Sequence, residues 1–122
     1  MARAKNYVEL ARQNGFFRQT LVTGEHAQVV AMTIQPGEEI GEETHEGDQI
    51  LFFVEGLGEA IVDGEVEPVG PNDMVFVPAG TLHNFVNTGS EPLRLVTTYA
   101  PPEHPDGTVH RTKAEADAAE AH

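Results

Sequence analysis

The chain has 122 residues and a mass of 13.2 kDa, enough for one domain with a buried core and too few for two. Its 20 acidic residues outweigh 7 basic ones to a net charge of −13, which disfavours nucleic-acid phosphates and anionic membranes as partners. Cysteine is absent, which excludes disulfides, thiolate metal sites and cysteine nucleophiles; the longest apolar run, residues 50–54, is far too short for a membrane span or a signal-peptide core, so the cytoplasm is the expected location.

Residues 6–13 read as a short helix, with Asn6 placed to cap it, Glu9 three positions on and Gly15 placed to end it. From Gly24 to Ala100 the texture changes to short β-branched and apolar segments separated by turn residues, the pattern of an all-β barrel or sandwich. Strands are predicted at 27–34, 49–54, 59–62, 74–77, 83–86 and 93–99. Asp63-Gly64 is the strongest hairpin signal, and the connections are too short for the crossover helices of a parallel sheet. Pro101, Pro102 and Pro105 rule out a helix after Ala100 and predict an extended tail lying on the rest of the fold. Thr112 and Glu115 are spaced as a capping box opening a second, alanine-rich helix, expected to be exposed, with its end, His122 included, frayed.

The acids are unevenly placed: no Lys or Arg occurs between Arg18 and Arg94, where 14 of the 20 acids lie. Such a stretch forms a solvated acidic surface or offsets a bound cation. It is poorly equipped to grip a phosphate, and nothing in the sequence places Arg18 or Arg94 at a pocket.

Residues two apart on a strand face the same side, so Glu43 and His45 can point together into a barrel, with Gln49 in the same parity. Leu51, Phe53 and Phe85 follow the same alternation and are candidate pocket-lining residues, whereas Phe52 and Phe76 pack elsewhere. His26, at the start of a strand, is a weaker pocket-lining candidate; His104 and His110 sit in the tail, at the surface or over a pocket mouth. No phosphate-binding loop, dinucleotide fingerprint or nucleophile elbow occurs.

With Pro78, Gly80, His83 and Asn87, the sequence resembles the second motif of the cupin family, Gly-x5-Pro-x-Gly-x2-His-x3-Asn. The motif's leading Gly falls at Asn72. Gly37, His45 and Gly56 match the first motif, in which Glu43 stands for the first His and Gln49 for the Glu. The resemblance covers roughly residues 20–99, and the tail is similar to that of small single-domain bacterial cupins of the mannose-6-phosphate isomerase-like group. It implies an antiparallel jelly-roll β-barrel (core about 20–100) filling a single domain over 1–122, a homodimer, and one divalent metal inside. On that resemblance Glu43, His45, Gln49 and His83 are the candidate ligands of Mn, Fe, Co, Ni or Zn, since imidazole nitrogen and carboxylate oxygen suit these ions. Glu43 has a second candidate role, as a catalytic proton-transfer base. The expected functions are a metal-dependent isomerase, epimerase or dioxygenase acting on a small molecule, a non-catalytic binding module, or a barrel that has lost its metal and keeps only the pocket.

Overall fold

Alternation of inward apolar and outward polar side chains builds nine antiparallel strands, in a computed structural model that describes residues 1–120. Eight of these strands are β1 (Arg18–Thr23), β2 (Gln28–Ile34), β3 (Asp48–Glu55), β4 (Gly58–Val62), β5 (Glu65–Val69), β6 (Met74–Val77), β7 (His83–Asn87) and β8 (Leu93–Ala100). A two-residue β9 (Val109–His110) comes from the tail. One sheet has the order β6-β3-β8-β2-β1-β9, the other β5-β4-β7. The chain passes between sheets after β3, β5, β6 and β7, in the jelly-roll manner, and the two sheets close on each other through side chains. His122 lies outside the described residues.

The period of two is plain in β3, where Gln49, Leu51 and Phe53 are buried while Asp48 and Phe52 are exposed. Val30, Met32, Leu51 and Leu95 of the large sheet meet Ala60, Val69 and Phe85 of the small one in a single core. Burying each of the larger side chains contributes about 1.5–3 kcal/mol. Phe52 and Phe76 face outward, 38% and 48% exposed, and do not belong to the core.

The Asp63-Gly64 turn joins β4 to β5 with φ of +51° and +81°, the left-handed pair that a two-residue hairpin needs to follow the strand twist. Two elements lacked a sequence signal. β1 precedes the point at which the texture changes. β5 reads Glu-Val-Glu-Pro-Val, exposed except at Val69, and Pro68 is tolerated because β5 is an edge strand. A third, broken strand escapes the pattern because it is rich in Glu and Gly: single bridges join Glu39 to Val86 and Glu43 to His83, laying residues 38–45 along the free side of β7.

Helix α1 (Tyr7–Gln13) begins as predicted, with Asn6 Oδ1 accepting from the Glu9 N–H at 3.1 Å. It ends at Asn14 rather than Gly15, because the Asn14 amide is tied down by Phe16 and Thr33 and its carbonyl accepts from Arg94 at 2.6 Å. Ala11 packs against Val54 and Val96 on the outer face of the large sheet. In α2 (Lys113–Glu120), Thr112 Oγ1 accepts from the Glu115 N–H at 3.1 Å. The expectation of a wholly exposed helix is corrected at Ala116, which is 2% exposed and joins the main core.

Candidate metal centre

The two sequence motifs meet through backbone hydrogen bonds. Glu43 and His83 exchange both of theirs, N–H to carbonyl, at 3.0 Å each way. Directly opposed residues put their side chains on the same face of a sheet, so this pair alone sets a carboxylate beside an imidazole. The turn after β6 adds two anchors: the Gly80 N–H donates to the His45 carbonyl at 2.8 Å, and the Ala79 N–H donates to Asp48 Oδ1 at 2.9 Å. At Asn72, where the motif has glycine, φ is +74°. Asparagine is among the few residues that adopt this region readily, so the departure preserves the turn.

Ligand atoms of Glu43, His45 and His83 all lie within 4.8 Å of one another. Glu43 Oε1 is 3.3 Å from His45 Nε2 and 3.9 Å from His83 Nε2, and the two imidazole centroids are 5.0 Å apart. His45 and His83 are buried, while the Glu43 side chain keeps 23% exposure. His83 Nδ1 lies 2.9 Å from the Thr81 carbonyl, an acceptor that holds the ring proton there and leaves Nε2 with a bare lone pair. That Nε2 is buried and has no hydrogen-bond partner among the described residues. Gln49, 1% exposed, donates through Nε2 to Thr97 Oγ1 at 3.1 Å, and Thr97 in turn donates to the Ile50 carbonyl. Its Oε1 is likewise buried without a hydrogen-bond partner. A buried imidazole nitrogen whose lone pair has no hydrogen-bond partner, 3.9 Å from a carboxylate oxygen, suits a cation, since such an atom is costly to leave unsatisfied.

The premise that one strand carries Glu43, His45 and Gln49 in shared parity is corrected. A bend at residues 46–47 separates Gln49 from Glu43 and His45, and Gln49 stands on β3. Gln49 pairs across the sheet with Tyr99, whose ring meets His45 edge-on at 5.4 Å. Phe85 lies 6.0 Å from the His83 ring and 5.9 Å from Phe53, and with Leu51 these residues form the packed interior next to the triad. A cleft of about 570 Å³ opens between the edges β5 and β6; Val62, Val75, Met74 and Phe76 line it, and Thr81 links it to the turn carrying His83. Leu51, Phe53 and Phe85 do not line that cleft. His26 is no pocket residue: it sits in the bend between β1 and β2 with its side chain 88% exposed, near Glu25.

Arg18 and Glu103 reach the site without a sequence signal, and His104, expected at the surface or over a pocket mouth, is half-buried beside Tyr99. Arg18 turns inward, 2% exposed, with Nη1 3.0 Å from His110 Nδ1. Arg94 faces the other way, paired with Glu55 at 3.2 Å. Glu103 of the tail reaches His45, Oε1 to Nδ1 at 3.0 Å, and His104 meets the Tyr99 ring edge-on at 5.3 Å. The charges respond to one another. Burial pushes the Glu43 carboxyl up, but its contact with His45 and the charges of His45, His83 and Arg18 outweigh that and hold it below its ordinary value. Burial pushes the His45 imidazole down, and Glu43, with Glu103 behind it, more than reverses the shift. His104 is driven down to about 4 by burial and by the Arg18 charge.

The cupin domain family model matches residues 30–99. The chain is 43% identical to the Bacillus subtilis protein YrkC over 122 aligned residues, covering 94% of this chain and 66% of that protein, so it spans about two-thirds of that relative's length. It is 40% identical to a Bradyrhizobium 5-nitrosalicylic acid 1,2-dioxygenase over 58 residues, 48% of this chain and 28% of the enzyme. The crystal structure of BH2720 from Bacillus halodurans is similar at a TM-score of 0.94 with 43% identity, over 97% of this chain and 95% of that one.

Proposed function

The chain belongs to the cupin family, and on that premise we propose that it is a metal-dependent enzyme acting on a small, oxygen-chelating organic molecule. One divalent ion, Mn, Fe, Co, Ni or Zn, is held by Glu43, His45 and His83, with the Gln49 amide oxygen as a fourth, weaker donor. The observation that carries this reading is His83 Nε2, buried without a hydrogen-bond partner while Nδ1 is committed to the Thr81 carbonyl. When bound, such an ion polarises a carbonyl or enolisable oxygen, and Fe(II) on a two-histidine, one-carboxylate face supports dioxygenase chemistry.

The protein's own residues divide the remaining work. His45 and His83 are buried and would hold the ion from the protein side. Glu43 has the open side, and its depressed pKa keeps it ionised at neutral pH, able to ligate or to accept a substrate proton. Leu51, Phe53 and Phe85 exclude water from below. The similarity to a dioxygenase that acts on an aromatic acid supports the oxygenase form of this chemistry over the isomerase form. Metal analysis of protein purified without added metal tests the proposal. About one equivalent is expected in the parent, and His45→Ala and His83→Ala should each empty the site with the far-ultraviolet circular dichroism unchanged. Full occupancy in His83→Ala overturns the ligand set.

The burial of His45 and His83, 8% and 2% exposed, favours a second reading, a non-catalytic metal or ligand module. An enzyme needs a coordination position that exchanges. In the Co²⁺-loaded protein, small hydroxy acids should change the visible spectrum and be turned over if the enzyme reading holds; an unchanged spectrum, or a change without any turnover, supports the module reading.

A further inference from the structure

We propose that Glu103, in the proline-rich tail, is a positioning residue for His45, holding the imidazole proton on Nδ1 and thereby turning the Nε2 lone pair toward Glu43 and His83. The inference rests on the metal-centre reading above and extends it to a segment outside both sequence motifs. Its geometric basis is the 3.0 Å approach of Glu103 Oε1 to His45 Nδ1, at the other ring nitrogen from the one 3.3 Å from Glu43; these are ion-pair contacts rather than aligned hydrogen bonds, so the carboxylate acts on the Nδ1 proton through its charge.

The backbone that carries Glu103 is held in place from inside the fold. Gln28, fully buried on β2, accepts at Oε1 from the N–H groups of Glu103 (3.3 Å) and His104 (3.0 Å). Its Nε2 donates to the His104 carbonyl at 2.8 Å. Further along, the Thr20 N–H and hydroxyl both donate to the Thr108 carbonyl, which secures the other end of the tail on β1. Between the clamps the chain turns once at Asp106-Gly107, closed by the Thr108 N–H and hydroxyl donating to the Pro105 carbonyl. The tail is therefore a strap clamped at both ends, and Glu103 is the residue that its inner clamp points at the site. A ligating histidine whose second nitrogen donates to a carboxylate has its tautomer fixed and its basicity raised, and losing such a partner typically weakens metal affinity by 10–100-fold.

The test uses the full chain and Co²⁺ as the probe, with affinity measured by chelator competition. Glu103→Ala should lower the affinity by about 10–100-fold. Glu103→Gln should lose less, since its amide oxygen still presents a partial negative charge to Nδ1–H. Asp106→Asn, which removes an equal charge from the exposed tail, should leave the affinity unchanged. A metal-independent arm records ¹⁵N–¹H spectra of the apo protein above the titration range of imidazole: His45 should carry its proton on Nδ1 in the parent and shift toward Nε2–H in Glu103→Ala. A parent that takes up no Co²⁺ overturns the metal-centre reading, and the spectra then decide the Glu103 inference alone. An Nε2–H tautomer in the parent, or Glu103→Ala matching the parent in affinity and tautomer, overturns it.

Discussion

Glu43 is the only charged group among the four proposed ligands, and it stands where the first cupin motif has histidine. Replacing it with glutamine keeps the shape and removes the charge that a divalent ion needs most, so Glu43→Gln should weaken metal binding by at least about tenfold, whereas Glu43→His, restoring the motif's pair, should bind metal well. If Glu43→Gln retains the metal and loses turnover, Glu43 is a proton-transfer base rather than a ligand; metal content and activity measured on the same preparation separate the two roles. His104 gives a pH prediction of definite sign. In the unfolded chain it takes up a proton near its ordinary 6.5, and in the fold only near about 4. Between those values the unfolded state binds more protons, so this residue makes stability fall as pH drops. Urea midpoints near pH 7 and near pH 4 should therefore differ less in His104→Gln than in the parent.

At the scale of elements, the strap and the loop carrying His45 are built against each other. Gly47 follows His45 by two residues, and a Cβ there would run into the Ala100 carbonyl and the Pro101 ring, where the tail leaves β8. Gly47→Ala should cost about 1–3 kcal/mol by overpacking, and it should also lower Co²⁺ affinity by shifting Glu103, although it alters no ligand. A stability loss at unchanged affinity would show that the strap does not communicate with the site. Phe85 joins the small sheet to the core and lies against His83, so Phe85→Ala should lower unfolding free energy by about 3–5 kcal/mol in denaturant titration.

For the molecule as a whole, a net charge of −13 makes self-repulsion a standing cost that salt screens. The thermal midpoint should rise with sodium chloride between low and physiological ionic strength, and a flat response would mean that the carboxylates are already offset locally. A homodimer is the expected assembly: outward Phe52, Met74 and Phe76, 38%, 57% and 48% exposed, offer apolar surface to a partner. Sedimentation showing only a 13.2 kDa species at micromolar concentration would refute it.

Local chemistry alone determined the strands with a period of two, the Asp63-Gly64 hairpin, the Asn6 cap and the spacing of His45 and His83, because each depends on residues adjacent in sequence. That information also carried the family resemblance, and with it the all-β fold. The tertiary structure decided what depends on distant residues. It laid the glutamate- and glycine-rich stretch 38–45 along β7, where only the partner strand makes it regular. It turned Arg18 inward, set His26 in solvent and brought Glu103 to His45 across 58 positions of chain. No periodicity encodes these placements. The placement of Glu103 follows from the clamps of Gln28 and Thr20 on the tail, hydrogen bonds that exist only once β1, β2 and β8 are paired.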